Sequence, residues 1–394
     1  VDPITIGPNN LISDVKKIIH EKNISGIPVV DSSNKILGII TNRDLRFSTN
    51  DNAKVKDLMT KNVVTIKQGY KIVEAKKLLH KNRIEKLIVT NSSNQCLGLI
   101  TVKDIEKSEK FPLASKDKKK SLIVGAAVGV GDDGIKRAKA LINAGCDFLV
   151  VDTAHGHSSS VIETVKKIRS LNKRITLIAG NIATAEAAIE LAKLKVDAVK
   201  VGIGPGSICT TRVVAGIGFP QFSAIVNVKK GLKNFKNIKI IADGGIRYSG
   251  DIAKAIGAGA DAVMIGSLLA GTDETPGEIF FYQGRSYKSY RGMGSIAAMA
   301  RGSADRYFQQ DVKDQLKLVP EGIEGRVPYR GPVKNIIDQL VGGLKSSMGY
   351  LGAKNLSEFK KNAKFVEISN SGIKEGHVHD VQITKQSPNY PLNE

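Results

Sequence analysis

Cysteine is scarce: the 394 residues hold three, Cys96, Cys146 and Cys209, far apart and without a C-x-x-C pair. That spacing argues against a disulfide framework and a structural zinc site. Long apolar runs are missing too, with no stretch near the roughly 18 residues that a membrane span needs. The first residues, "VDPITIGPNN", lack a basic start followed by an apolar stretch, so no signal peptide is expected. A reducing, cytoplasmic setting is the simplest reading. Zinc-finger spacing and aromatics interleaved with basic residues are also absent, which argues against nucleic-acid binding despite a net charge of +21. The lysines instead run along helix-like segments such as "VKKIIHEKN" and "NVKKGLKNFKNIK", as on solvated faces. One compact run, "SKDKKKS" (115–121), lies between domains.

What is present is enough for packed cores, at 41% apolar residues, and for two or three domains. The N-terminal part repeats itself. "ISGIPVVDSSNKILGIITNRDL" aligns with "IEKLIVTNSSNQCLGLITVKDI" at a shift of 60 residues, Ile24 matching Ile84. Each copy follows a helical pattern ending in histidine, "SDVKKIIH" and "VEAKKLLH". The unit reads as helix, strand, turn, strand, helix, with boundaries at 1–48 and 49–108 and a linker over 109–120. The repeat resembles the tandem CBS-domain pair, a module that often binds nucleotides. That resemblance implies adenine or guanine nucleotides as ligands of the pair. Thr41 and Asp44, with Thr101 and Asp104, match its T-x-x-D pattern, in which the carboxylate accepts from ribose hydroxyls. Alternatively, Asp44 and Asp104 cap the helices that follow them.

From residue 121 the rhythm changes. Apolar strand-like runs alternate with helical patterns: "SLIVGAAV", "DFLVVDTA", "ITLIAGN", "DAVKVGIG", "IKIIADGG" and "DAVMIGS". Buried parallel strands covered by helices follow from this pattern. Asp152, Asn181, Cys209, Asp243 and Ser267 recur at or just past strand C-terminal ends, which is the catalytic face of a (β/α)₈ barrel. A doubly wound sheet is the alternative, but its site gathers at one switch point. Only six such strands are legible, and a barrel closes with eight.

One loop carries the chemistry. "GIGPGSICTTR" (202–212) sets Cys209 just past a strand, among glycines that let the backbone approach a ligand and a proline that shapes the turn. A thiol there serves as a nucleophile when its pKa is lowered. Cys96 and Cys146, beside core strands, read as small apolar residues. "GIGPGSICTTRVVAGIGFPQ", "IAGNIAT", "IADGGIRYSGD", "VMIGSLLAGTDETPGE", "YRGMGS" and "LVPEGIEGRVPYRG" together resemble the inosine 5′-monophosphate (IMP) dehydrogenase family, along essentially the whole chain.

The resemblance implies a TIM barrel with an inserted CBS pair, NAD-dependent oxidation of IMP to XMP, and a role for each matching residue. Cys209 would attack C2 of the hypoxanthine ring. Hydride would pass to the nicotinamide, and water would then hydrolyse the covalent thioimidate. Ser207, Gly245, Gly266 and Ser267 would bind the 5′-phosphate and Asp243 the ribose diol. Tyr290, Met293 and Gly294 would contact phosphate and base, with Glu321 on the N1 side. A polar stretch from about 296 to 335 resembles the family's mobile flap, in which "DRYF" supplies Arg306 and Tyr307 to activate water, with Thr211 as a partner. An arginine base is unusual, since its free pKa exceeds about 12.

Asp152, Thr153 and Ala154, with Gly202 and Gly204, would face NAD; no G-x-G-x-x-G follows the first strand. His155 and His157 read as loop hydrogen-bonders. The resemblance further implies potassium held by carbonyls of Gly204, Gly206 and Cys209 with Glu375, Gly376 and His377 of a neighbouring subunit, and a homotetramer. It also implies that roughly ninety residues carrying the first two βα units of the eight-unit barrel are not part of this chain. Exposed sheet edges are then expected. Two other functions fit parts of the pattern. One is a GMP reductase-like enzyme with the same cysteine loop, against which the CBS pair and the "DRYF…VPEGIEGR" stretch argue. The other is a non-catalytic nucleotide-binding protein acting through the CBS pair.

Overall fold

The computed structural model describes residues 3–46, 48–118, 120–307, 309, 312, 314–385 and 387–390. Lys119 of the expected linker and Phe308, Gln310, Asp311 and Lys313 of the expected flap lie outside them. The chain divides between Ile123 and Val124 into two compact units.

The first unit holds the repeats. In one copy β1 (Gly26–Val30) pairs antiparallel with β2 (Ile36–Thr41). In the other, β3 (Thr65–Lys67) runs parallel to β4 (Lys86–Thr90), which pairs antiparallel with β5 (Cys96–Thr101). Both hairpins turn on an asparagine in the left-handed region, Asn34 and Asn94, each at φ 62°. Asparagine tolerates that conformation better than most residues. The copies join about a pseudo-dyad: Ile36 N donates to Asn94 O and Cys96 N to Asn34 O. Val30, Ile88 and Cys96 close an apolar seam between them. At the strand ends the capping geometry is realised. The N–H and Oγ1–H of Thr41 both donate to Asp44 Oδ2 at 2.7 Å, and Thr101 does the same to Asp104 at 2.9 and 2.8 Å. Thr60 Oγ1 takes the other Asp44 oxygen at 3.2 Å.

The second unit is built on six parallel strands: β6 (Gly125–Val128), β7 (Phe148–Asp152), β8 (Thr176–Ile182), β9 (Ala198–Val201), β10 (Lys239–Asp243) and β11 (Ala262–Met264). They lie side by side in sequence order from β6 to β11. That order has no reversal, which rules out the doubly wound alternative. The sheet is a half-barrel. Its centre is dry, with β9 buried throughout, while the edge strands β6 and β11 are largely open.

Helices cover the outer face for the expected reason. In Ser159–Leu171 the buried residues Val161, Ile162, Val165 and Ile168 fall on one stripe. Ser158 caps that helix, and Thr184 caps the next, by accepting from the backbone of Val161 and Ala187. A separate three-stranded antiparallel sheet follows, β12 (Ile279–Tyr282), β13 (Arg285–Arg291) and β14 (Glu324–Pro328). It was not legible in the sequence, and it lies beside the catalytic end. No helix among the described residues is long and apolar enough to cross a membrane.

Candidate active site

The C-terminal ends of β7 to β10 converge on one polar cluster. Lys200, on β9, is 1% exposed, and its Nζ lies 2.5 Å from Asp243 Oδ2 and 2.8 Å from Asp152 Oδ1. The contact with Asp243 is a directed hydrogen bond. The contact with Asp152 is an ion pair whose alignment is poorer, since Oδ1 accepts no well-aligned hydrogen bond. Asp152 Oδ2 meets Arg306 Nη1 at 2.5 Å. Asn181 donates to Asp243 Oδ2 at 2.9 Å and to Gly202 O at 2.8 Å, and its own buried Oδ1 has no partner. Gln221 ties the same corner together through the carbonyls of Val201 and Asp243.

The charges follow the geometry. Burial pushes the Asp152 carboxyl up, but the Lys200 and Arg306 cations outweigh it and hold it below the usual carboxylate value. Burial works against the Arg306 cation, yet Asp152 beside it more than compensates, so the guanidinium is more firmly protonated than a free one. Tyr307 is raised by burial, partly offset by Arg306, and Tyr290 is raised by burial and by Asp243.

Past β9 the chain turns sharply. Gly202 has φ 150°, and a Cβ there would sit 2.1 Å from Asp243 O, so only glycine fits. The loop delivers Cys209, whose Sγ donates to Thr211 Oγ1 at 3.2 Å; Thr211 in turn donates to Glu321 Oε2 at 2.7 Å. Backbone pairing fixes Glu321 opposite the cysteine. Thr210 N donates to Glu321 O, Ile323 N to Ile208 O, and Glu321 N to Gly294 O. On the far side Ser207 Oγ and Ser267 Oγ lie 3.0 Å apart.

These parts line a cleft of about 410 Å³ that holds Cys209, Thr211, Asp243, Tyr290, Arg306 and Glu321. Of the other expected residues, Ala154, Gly202, Gly204, Gly206, Met293, Gly294 and Tyr307 line the same cleft. Asp152 joins it through Arg306, and Thr153 is buried behind it, its hydroxyl on Gly180 O. Gly245 borders the side chains of Gln221 and Pro205, and Gly266 that of Tyr290. Glu375, Gly376 and His377 are not gathered there within this single chain. Among the described residues, their hydrogen bonds and ring contacts stay within the C-terminal segment and with Tyr248.

The expected flap divides in two. Arg306 and Tyr307 sit on a short 3₁₀ turn (Ala304–Tyr307), with Arg306 O accepting from Ala154 N. Residues 321–328 are no loop: they pair with the cysteine loop and, as β14, with β13. Their polarity resembled a connector because an edge strand exposed to water needs no apolar run. His157 bonds Glu190 at 2.6 Å, as a loop hydrogen-bonder would. Lys200 carried no expected role. In sequence it is only a lone lysine inside the apolar run "DAVKVGIG", with nothing local to mark it as buried.

A second cavity of about 490 Å³ adjoins the first and shares Ala154, Thr211, Tyr307 and Glu321 with it. Its floor is small and apolar, with Ile182, Ala183, Ala187 and Ile217, and its rim carries His155 and His157. Burial and the neighbouring His157 lower the pKa of His155, keeping that ring neutral.

Comparison with known proteins agrees with this arrangement. A family model described as "IMP dehydrogenase / GMP reductase domain" matches residues 15–379. The inosine-5′-monophosphate dehydrogenase of Rhizobium tropici is 55% identical over 386 residues, 98% of this chain and 77% of the relative. That of Helicobacter pylori (strain J99) is 56% identical over 390 residues, 99% of this chain and 80% of its own. Among solved structures, a GMP reductase from Trypanosoma brucei in complex with guanosine 5′-monophosphate superposes with a TM-score of 0.75 at 40% identity. It covers 96% of this chain and 79% of that one. With a family model matched over residues 15–379, and relatives above one-half identity matched along 98–99% of this chain, the chain belongs to the IMP dehydrogenase / GMP reductase family.

Proposed function

We propose that this protein oxidises IMP to XMP with NAD, through a thioimidate on Cys209. The observation that carries the mechanism is the chain Cys209–Thr211–Glu321, which opens into the cleft. A thiol proton can pass to the Thr211 hydroxyl as that hydroxyl gives its own proton to Glu321, leaving the sulfur free to attack C2 of the purine. Curated relatives above one-half identity are dehydrogenases, which favours this reaction over GMP reduction.

Substrate placement follows the cluster. The Ser207–Ser267 pair, with Gly245 and Gly266 beside it, takes the 5′-phosphate. Asp243 takes the ribose diol, and Tyr290, Met293 and Gly294 border the base. NAD fits the adjoining cavity: its apolar floor suits a planar ring, Ala154 borders both cavities, Gly202 and Gly204 line the cleft on the thiol side, and Asp152 and Thr153 precede Ala154 at the end of the same strand. When bound, NAD supplies the hydride acceptor. In the present arrangement Arg306 holds the Asp152 carboxylate that a cofactor ribose would use, so the two compete for one partner.

Hydrolysis then requires a base. Arg306 beside Asp152 is held cationic, so a base role for the Arg306–Tyr307 dyad needs the guanidinium to leave that carboxylate. Thr211–Glu321 offers a second route, already formed and one residue pair from the sulfur.

A monovalent cation suits the carbonyls of Gly204, Gly206 and Cys209. Gly206 O already accepts from Cys209 N at 3.1 Å but retains a lone pair. Potassium shared with the 375–377 segment of a neighbouring copy, and hence a tetramer, extends this reading. So do an eight-stranded barrel completed around the half-barrel sheet and a nucleotide on the CBS-like pair.

Intact mass after incubation with IMP and NAD, beside a Cys209→Ala control, tests the proposal. An IMP-sized adduct with NADH release is expected only when Cys209 is present. A folded protein giving neither overturns the reading.

A further inference from the structure

Lys200 is the one strongly buried cation of the cluster, and its surroundings are specific. Asp152 on β7 pairs with Gly180 on β8, and Gly180 with Lys200 on β9. Gly180 therefore stands between the lysine and the aspartate and puts no side chain between them. A Cβ on Gly180 would lie 2.7 Å from Lys200 Cβ and 2.6 Å from its carbonyl oxygen. The gap is kept open for an ion pair that reaches across one strand. On the other side Lys200 bonds Asp243, two residues beyond its own register partner Ile241 on β10.

Burying an ammonium is costly unless it is paired. A fold that needed only stability here would fill the position with an apolar side chain, as at Ala198, two residues earlier on the same face of β9 and 6% exposed. The two carboxylates held by Lys200 belong to two different tasks. Asp243 faces the substrate ribose, while Asp152 faces the cofactor or seats Arg306.

We infer that Lys200 is a positioning residue whose ammonium aligns Asp243 for the substrate and steadies Asp152 for the cofactor and for Arg306. Its bond to Asp243 is the shorter and better aligned, and Asp152 has Arg306 as a second cation, so the substrate side depends on it more. The inference rests on the IMP dehydrogenase reading of the cleft.

The test is steady-state kinetics of Lys200→Met, a neutral side chain of similar length, against the wild type. The expected result is a rise in KM for IMP of roughly tenfold to a hundredfold, the scale of one charge-assisted hydrogen bond. KM for NAD should rise by a smaller factor, and kcat should fall as well. A purely structural lysine would lower the melting temperature and the active fraction while leaving both KM values unchanged, and that result overturns the inference. Should two stranded carboxylates prevent folding, Lys200→Met/Asp152→Asn removes one of them. It should fold and keep the raised KM for IMP; a wild-type KM in that variant overturns the inference, as does failure of both variants to fold. If the wild type itself makes no NADH from IMP and NAD, the functional reading fails instead, which is a separate result.

Discussion

Asp152→Asn removes the carboxylate that stands between two cations. Arg306 loses its 2.5 Å partner and Lys200 loses one of two. Deleting one member of a fully buried pair costs about 3–5 kcal/mol because a charge is left behind. Here the side chains of Asp152 and Arg306 keep 24% and 17% of their exposure, and Lys200 retains Asp243. The cost should therefore fall near 2–3 kcal/mol, a factor of roughly 30–150 in the folding equilibrium. The pH dependence fixes the sign. The folded pKa of Asp152 is depressed, so its contribution is complete above the unfolded value of about 3.9 and is lost as pH falls through the folded value. Urea unfolding followed by circular dichroism should show the gap between wild type and variant at full size from about pH 5 to 8, closing below about pH 4. A gap under about 0.5 kcal/mol at pH 7, the size of an ordinary surface substitution, would refute the argument. So would a gap that widens on acidification.

Three further perturbations have definite outcomes. Thr211→Val cuts the hydroxyl from the Cys209–Glu321 chain and should lower kcat by roughly 10²-fold or more, with slower alkylation of Cys209 by iodoacetamide at pH 7; unchanged alkylation would show that the thiol is activated some other way. Gly202→Ala forces a Cβ to within 2.1 Å of Asp243 O at φ 150°, and should cost about 2–4 kcal/mol of stability or abolish soluble expression. Ser267→Ala removes the Ser207 partner and should raise KM for IMP about tenfold with kcat nearly intact, and a change confined to KM for NAD would move the phosphate site elsewhere.

The legible and illegible parts of this molecule separate along physical lines. All six parallel strands stood out as short apolar runs, the central ones buried on both faces and the edge strands β6 and β11 apolar though largely open, and the helices between them because one stripe faces the sheet. The duplicated hairpins showed themselves by repetition. The antiparallel sheet β12–β14 did not, because its residues, from Ile279 to Tyr282 above all, are exposed and follow no clean alternation. The thiol, the serine pair and Asp243 were readable from the loop motifs. Lys200 was not, because a single lysine in a strand is indistinguishable in sequence from a solvated one. Its role depends on Gly180 leaving space one strand away, and no local pattern records that. The place of Arg306 was equally hidden, since its partner lies 154 positions earlier, at Asp152.

The backbone stitches among residues 208–210, 292–294 and 321–323 have a mechanical consequence. Glu321 is pinned by main-chain bonds on both sides, from Thr210 N and to Gly294 O. Arg306 hangs on the span between those pins, tied back through its own carbonyl to Ala154 and through its side chain to Asp152. Two groups only fifteen residues apart in the chain therefore hang on different anchors. Breaking the two contacts of Arg306 leaves every main-chain bond of Glu321, and with it the Cys209–Thr211–Glu321 chain, in place. The sulfur's hydrogen-bond chain and the seat of the guanidinium are thus mechanically independent, although both open into one cleft.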